Sequence, residues 1–538
     1  MAAMGMDTVT RQGKGARPAR FALLLAAALG SGPALAQLPP MIGSPISIPG
    51  VDPGDTPGHL LLPGVRASVT ATSNIGLQPS ADARDGFIFE ASPYVYGRVN
   101  TARTQAQAYL SLRSFVRSGE DDTWLRPDLR GQFNHLFRGD TFGIAGDASV
   151  YSFAQDPFGV QSIDAATRPR ANTAEYRTLA LTPYVQGRFG SLADWRGEYS
   201  YRTTDTSSDQ LLTQAQHTLQ GHVVSGDRFA YWGWSLAGRM NRYEYDGGTS
   251  LDRRYSQARA WYLPIPELRI GGALTYEQID RLVYDGKDYG VGPGAFFDWA
   301  PTSRTSVRGE FNDAYYGNNA RLSLNHLIEH FTLGLSYTRS VLSSTDASML
   351  TFDAANLFSG GGLSNPIYQQ LVIDNLLAGY GIPDGAGVVT DGLVRSETLR
   401  AVFGWRGASN SLFMTVYRTD RDTLLDATVA GDVGIRGAGT PVDTTLVGYT
   451  EDRGLTGTWQ WRLGAHSSVN LSWRQTQLTN NAPYRKTRLR TLLLSYDTRL
   501  TRDTTALVGV RRAIQDSEGA ASADYNENAI YGAIDWRF

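Results

Sequence analysis

The chain has 538 residues, a formal net charge of -2, 41% hydrophobic and 11% aromatic residues, and a negative mean hydropathy. That balance excludes a bundle of membrane helices, and near-neutrality gives no reason to expect nucleic acid as a partner. Cysteine is absent, which excludes disulfide scaffolds and thiolate metal sites.

Residues 1–36 have the layout of a secretory signal. Arg11, Lys14, Arg17 and Arg20 form a positive region, Phe21 to Gly30 an apolar stretch, and Ala34-Leu35-Ala36 a small-residue cleavage site before Gln37. The apolar run falls short of the roughly 20 residues of a spanning helix, and no other stretch approaches that length. Residues 37–63, rich in Pro and Gly, read as an extended periplasmic leader, too short for a folded plug. Such an exported chain belongs in the outer membrane of a Gram-negative bacterium.

Residues 64–538 fall into strands separated alternately by tight turns and longer polar connections. Tight turns are expected near Val99–Thr101, Arg138–Asp140, Gly190–Ala193, Gly226–Arg228 and Pro264–Glu267, and again near Pro301–Arg304, Glu329–Phe331, Gly407–Asn410, Gly464–His466 and Leu500–Asp503. Longer connections lie between them, near 74–86, 118–123, 156–172, 206–212, 247–251, 281–288, 316–319, 345–395, 426–442, 478–484 and 516–522. The pattern predicts an all-β chain, a single transmembrane antiparallel β-barrel of about 22 strands (range 18–22), with both termini periplasmic.

Period-two alternation assigns faces. Trp459, Trp461, Trp473, Trp536 and Phe538 fall on apolar faces turned to lipid. Arg103, Arg113, Asp147, Arg462, Arg474, Asp535 and Arg537 fall on faces turned inward, where charge sets pore selectivity or pairs across the wall. Arg488 and Arg490 alternate beside the connection 478–484, at an outer rim where lipopolysaccharide phosphates would be bidentate partners. One stretch breaks phase: Trp232, Trp234, Leu236 and Met240 share a face, whereas Tyr243 and Tyr245 take the other. A bulge, or a strand that runs beyond the bilayer, would produce this. The last sixteen residues, Ala523 to Phe538, alternate up to the terminal aromatic and resemble the closing strand that the barrel-assembly machinery recognises.

The longest insertion, 345–395, carries Gly360-Gly361-Gly362 and an apolar stretch with roughly helical spacing. It is expected either to fold into the mouth and narrow the pore or to stay outside. His326-Leu-Ile-Glu329-His330 matches the H-x-x-E-H pattern of inverted zinc peptidases, but it lies between two strand patterns, where its imidazoles would be over about ten ångströms apart. No motif accompanies the other histidines, and Arg138-Gly139-Asp140 reads as a turn. The chain is therefore not expected to be an enzyme or to hold a cofactor or metal.

Arginine supplies nearly all positive charge, with Lys14, Lys287 and Lys486 the exceptions. Its planar, bidentate contacts suit a charged lumen or a lipopolysaccharide-facing rim, although a GC-rich genome would give the same bias. The stretch Gly64 to Arg117, with Ser73-Asn74-Ile75, an acidic loop and Phe89-Glu90-Ala91-Ser92-Pro93, resembles the opening of the beta-barrel porin 2 family and related polysaccharide-system-associated outer-membrane proteins. The likeness of strand rhythm runs over about 64–538, and Ser73-Asn74 stands where many relatives have an acidic pair. The resemblance implies an outer-membrane conduit for exopolysaccharide export, in contact with membrane lipid, lipopolysaccharide and periplasmic export proteins, and it transfers no catalytic residues. A general or solute-specific diffusion porin is the alternative, which predicts about 16 to 18 strands. A receptor would need a plug.

Overall fold

The computed structural model describes residues 58–343, 392–426 and 449–538, apart from short stretches at 120–122, 138, 155, 163, 165, 208–212, 247, 249, 281, 283–286, 482–483 and 520–522. They build one 22-stranded sheet. Its first half comprises β1 (Gly58–Thr72), β2 (Gly86–Asn100), β3 (Thr104–Arg117), β4 (Trp124–Leu136), β5 (Phe142–Ala154), β6 (Thr173–Phe189), β7 (Ala193–Thr206), β8 (Gln214–Ser225), β9 (Trp232–Tyr245), β10 (Ser250–Ile265) and β11 (Leu268–Ile279). The second comprises β12 (Tyr289–Thr302), β13 (Thr305–Asn312), β14 (Asn319–Ile328), β15 (Phe331–Ser343), β16 (Gly392–Arg406), β17 (Asn410–Asp426), β18 (Tyr449–Arg462), β19 (Ser467–Asn481), β20 (Tyr484–Arg499), β21 (Thr504–Glu518) and β22 (Tyr525–Arg537).

Each strand pairs antiparallel with its neighbours in the chain, and β1 closes on β22 from Gly64 opposite Arg537 to Thr72 opposite Ala529. Closure leaves no unpaired sheet edge, which a bilayer would not tolerate. Short turns gather at one end together with the start of β1 and the end of β22, and the longer connections gather at the other. In barrels of this kind the short-turn end is periplasmic.

Several boundaries differ from the sequence pattern, and three bear on the barrel's ends. β1 starts at Gly58 rather than Gly64, because Leu60, Leu61 and Leu62 continue its pairing opposite Arg98, Gly97 and Tyr96. The connection expected at 478–484 shrinks, since β19 and β20 stay paired out to Asn481 and Tyr484. Of the segment 345–395, residues 392–395 belong to β16, and the remainder lies outside the described residues.

The alternation becomes an inside and an outside. On β22, Ile530, Ile534, Trp536 and the terminal Phe538 are exposed, whereas Tyr525, Glu527, Ala529, Tyr531 and Ala533 are buried. The five outward positions from Ile530 to Phe538 cover about 20–25 Å along the bilayer normal at a strand tilt near 40°, the height of one hydrocarbon layer. Aromatic pairs ring the short-turn end: Phe137 with Phe142, Phe189 with Trp195, Phe229 with Trp232, and Trp536 with Phe538 at 4.6 Å. This is the girdle an outer-membrane barrel places at an interface, and the protein is one.

The phase break on β9 is not a bulge, because its register with β8 and β10 is uninterrupted. Trp232, Leu236 and Met240 face out, and Tyr243 and Tyr245 face in, buried with Leu251, Ile279 and Tyr316. The strand runs on beyond the apolar belt, where its outward positions become Arg242 and Glu244, paired at 2.8 Å. Large inward rings are accommodated by glycines opposite them. Gly64 faces Tyr94 across β1 and β2, where a β-carbon would lie 2.5 Å from the ring.

Candidate functional site: the lumen and the loop that enters it

The inner wall is polar. Threonine, serine, asparagine and glutamine recur at inward positions beside tyrosine and glycine, and the charges among them are predominantly arginine. Along β14–β19 the inward set is Arg321, Arg400, Arg406, Arg421, Arg462 and Arg474, with Asp452 the carboxylate among them. Along β1–β4 it is Arg66, Arg98, Arg113, Arg117, Arg126 and Arg130, with Glu90 and Asp128. With the whole chain at -2, this surplus means that acidic residues are concentrated elsewhere, in loops and on the outer rim.

The connection between β5 and β6 does not stay outside. Its partners are inward side chains of strands on the other side of the closing seam. Arg485 on β20 donates to Asp156 at 2.6 Å, and Thr487 donates to the Phe158 carbonyl at 3.1 Å. Gln515 on β21 accepts from the Gln161 amide and donates to the Gly159 carbonyl, while the Tyr525 hydroxyl on β22 donates to the Gln161 carbonyl at 2.6 Å. Arg511 donates to Asp164 at 2.6 Å and, with its other nitrogens, to Glu527. Farther along, Arg117 on β3 donates to the Ala166 and Arg168 carbonyls. Phe158 packs on Leu478, and Ala166 packs on Ile88 and Phe115. The segment is a strap along the inside of β19–β22 and β1–β4, and the β1–β2 connection joins it through Leu77, which packs with Leu489, Leu493 and Val160.

This strap reshapes the mouth. In a round barrel of this many strands, two strands seven steps apart, as β5 and β20 are, would lie about 35 Å from each other, from a strand spacing near 4.8 Å and a tilt near 40°. Asp156 is two residues beyond the tip of β5, yet it pairs with β20. With both side chains and the intervening residues fully extended, the tip of β5 lies within about 20 Å of β20. The lumen is therefore drawn together on this side.

Electrostatics hold the strap. Burial by itself would raise the Asp164 carboxyl, but the Arg511 guanidinium and the Ala166 amide keep it below the usual carboxylate range. Burial pushes the Arg168 guanidinium down to about 10, with the Arg113 charge adding to the effect. Trp124 is approached by three guanidiniums, Arg117, Arg126 and Arg170, with centroid distances of 5.3, 4.9 and 5.4 Å. Cation–π attraction is strongest for tryptophan and offsets some of the repulsion among these arginines.

Arg113 lies on the inner face, paired with Glu90 at 2.7 Å, and Asp147 receives Arg202 at 2.9 Å. Asp535 accepts from Tyr94 at 2.8 Å and lies 3.7 Å from Arg537. Arg474 sits opposite Thr456 and Thr491, and Arg462 opposite Ser468 at the end of β18. Arg103 does not line the wall; it is exposed in the turn between β2 and β3, where Thr101 and Thr104 close the hydrogen bonds. Alternation extended past Thr104 placed it there wrongly. Trp461, Trp473, Trp536 and Phe538 are exposed on the outside, and Trp459 stacks on Trp461 at 6.2 Å. Arg488 and Arg490 face outward, bonded to Gln477 and Asp516.

His326 is on β14, bonded to Thr305 at 2.8 Å, and Glu329 is in the following turn with φ 29°. Among the described residues no three His, Asp or Glu side chains gather as metal ligands. The strap anchors Asp156, Asp164, Arg485, Arg511 and Gln515 escaped the sequence reading. The one available signal was the length of the 156–172 connection.

No family model and no curated protein matches the chain. Solved structures similar to it include the siderophore receptor PirA from Pseudomonas aeruginosa, at 11% identity over 90% of this chain and 81% of that one, TM-score 0.38. The FrpB iron transporter from Neisseria meningitidis aligns at 10% identity over 89% and 81%, TM-score 0.47. BauA, the ferric preacinetobactin receptor from Acinetobacter baumannii, aligns at 11% over 88% and 80%, TM-score 0.46.

Proposed function

We propose that the protein is a passive outer-membrane conduit for a large hydrophilic anion, an acidic exopolysaccharide leaving the cell. The observation that carries this reading is the inner wall of β14–β19, a polar surface whose charges are arginines with one carboxylate, Asp452, among them. Rings of like charge select the opposite sign of permeant, and arginine presents planar donors suited to the carboxylates or sulfates of an acidic glycan. The resemblance of the first strands to polysaccharide-associated barrels points the same way, and periplasmic export proteins would then dock at the short-turn end.

A solute-specific diffusion porin is the second reading; the 22 strands exceed the 16 to 18 expected for it, but the strap favours it, because a narrowed mouth is what selection among small solutes requires. Purified protein in planar bilayers separates the two. A conduit conducts ions and is blocked by an acidic polymer such as dextran sulfate at concentrations at which neutral dextran has no effect. A channel that passes small anions with no block by either polymer overturns the polysaccharide reading.

A further inference from the structure

The outer rim just above the apolar belt is paired charge around most of the barrel. Arg177 sits between Glu175 and Asp205, Arg242 pairs with Glu244, and Arg418 lies between Asp420 and Glu451. Two places depart from this among the described residues: Arg254 on β10, exposed and with no hydrogen-bond or ion-pair partner, and a denser sector on two adjacent strands. On β20 and β21, Lys486, Arg488, Arg490 and Arg512 face outward with Asp516 and Glu518. Asp516 is taken by Arg490 and Glu518 by Lys486. Arg488 rests on the neutral amide of Gln477. Arg512 is exposed and has no hydrogen-bond or ion-pair partner among the described residues.

The geometry points to a binding site here for a phosphorylated glycolipid of the outer leaflet, lipopolysaccharide. Arg490 faces Ile514 in the β20–β21 register, so Arg512, the next outward residue on β21, is its diagonal neighbour, about 7–8 Å away. Arg488 is the next outward residue on β20, roughly 7 Å along the strand. Three arginines thus form an outward basic patch, Arg490 lying between Arg488, turned toward β19 by Gln477, and Arg512 on β21, each able to give bidentate bonds to a phosphate. Directly below lie Leu492, Leu494, Val508 and Val510, all exposed, a surface for acyl chains. A ligand that joins phosphates to several acyl chains fits both halves of this surface. The site is independent of what passes through the lumen.

The test measures binding of purified lipopolysaccharide, its enzymatically dephosphorylated form, and phosphatidylglycerol vesicles to the detergent-solubilised full-length protein. The wild type is expected to bind phosphorylated lipopolysaccharide at least about tenfold more tightly than the other two. The variant Arg488→Gln/Arg490→Gln/Arg512→Gln is expected to lose that preference. A variant with the same number of changes elsewhere on the rim, Arg177→Gln/Arg242→Gln/Arg418→Gln, is expected to keep it. Should the triple variant fail to fold, Arg512→Gln alone, a change at an unpartnered exposed position, is expected to weaken binding about threefold. Equal binding of phosphorylated and dephosphorylated forms, equal competition by phosphatidylglycerol, or equal loss in the rim control would each overturn the proposal.

Discussion

Asp156 and Arg485 are 329 residues apart in the chain and 2.6 Å apart in space, and their ion pair joins the tip of β5 to β20 across the mouth of the barrel. Strand neighbours among the described residues are consecutive except at the closing seam, so this contact and the others along the strap shape the lumen beyond the barrel itself, as does the cluster in which Arg253 on β10 reaches the Val341 carbonyl of β15. The strap's effect on the pore can be measured directly. Replacing residues 156–169 with a short Gly-Ser linker is expected to raise single-channel conductance severalfold in planar bilayers. Unchanged conductance would show that the strap does not limit the pore.

Arg511 serves two carboxylates at once, Asp164 of the strap and Glu527 of β22, and Glu527 also accepts from Thr72 of β1. Its side chain and that of Glu527 are each 1% exposed. Removing one partner of such a buried set costs about 3–5 kcal/mol, because the remaining charges stay desolvated. Arg511→Ala is expected to speed amide exchange across 156–169 by about a hundredfold or more, while amides of the distant strands β12–β13 keep their protection.

Acid should loosen the strap. The Asp164 carboxyl is held below its ordinary value in the docked state, so its contribution is fully present above the undocked value near 3.9. The contribution is lost as pH falls through the lowered docked value. Conductance is expected to be flat from pH 7 to about 5 and to rise below pH 4, with the rise absent in Asp164→Asn.

The outward belt should be intolerant of charge, and the inner wall tolerant. Leu494→Arg, on the lipid face, is expected to cost about 2–4 kcal/mol in refolding into lipid vesicles, whereas Thr456→Arg, on the lumen face, should cost far less. Comparable losses for the two would mean that the faces are assigned the wrong way round.

Anion preference follows from the inner arginines. Under a potassium chloride gradient the reversal potential is expected to have the sign of chloride selectivity. Arg400→Glu with Arg474→Glu is expected to shift it toward cations. An unselective pore in the wild type would remove the basis for an acidic cargo.

Much of this was legible in the sequence because a barrel strand writes its environment at period two. Trp461, Trp473, Trp536 and Phe538 could be placed facing lipid, and Asp147, Asp535 and Arg537 facing the lumen, from parity alone, and the spacing of turns was enough for the strand number. Parity fails where the strand ends, which is why Arg103 was placed on the wall although it sits in a turn. It also could not separate a bulge on β9 from a strand that outruns the bilayer; the unbroken register with β8 and β10 decided that.

Sequence by itself determined the closed wall, its two faces and its strand number, since each depends only on residues near one another in the chain and on the fixed pleat. The tertiary structure decided that the connection between β5 and β6 enters the lumen. Loop direction is set by partners such as Arg485, Arg511 and Gln515 that lie hundreds of residues away, and no local pattern in 155–172 encodes the barrel closure that brings them within reach.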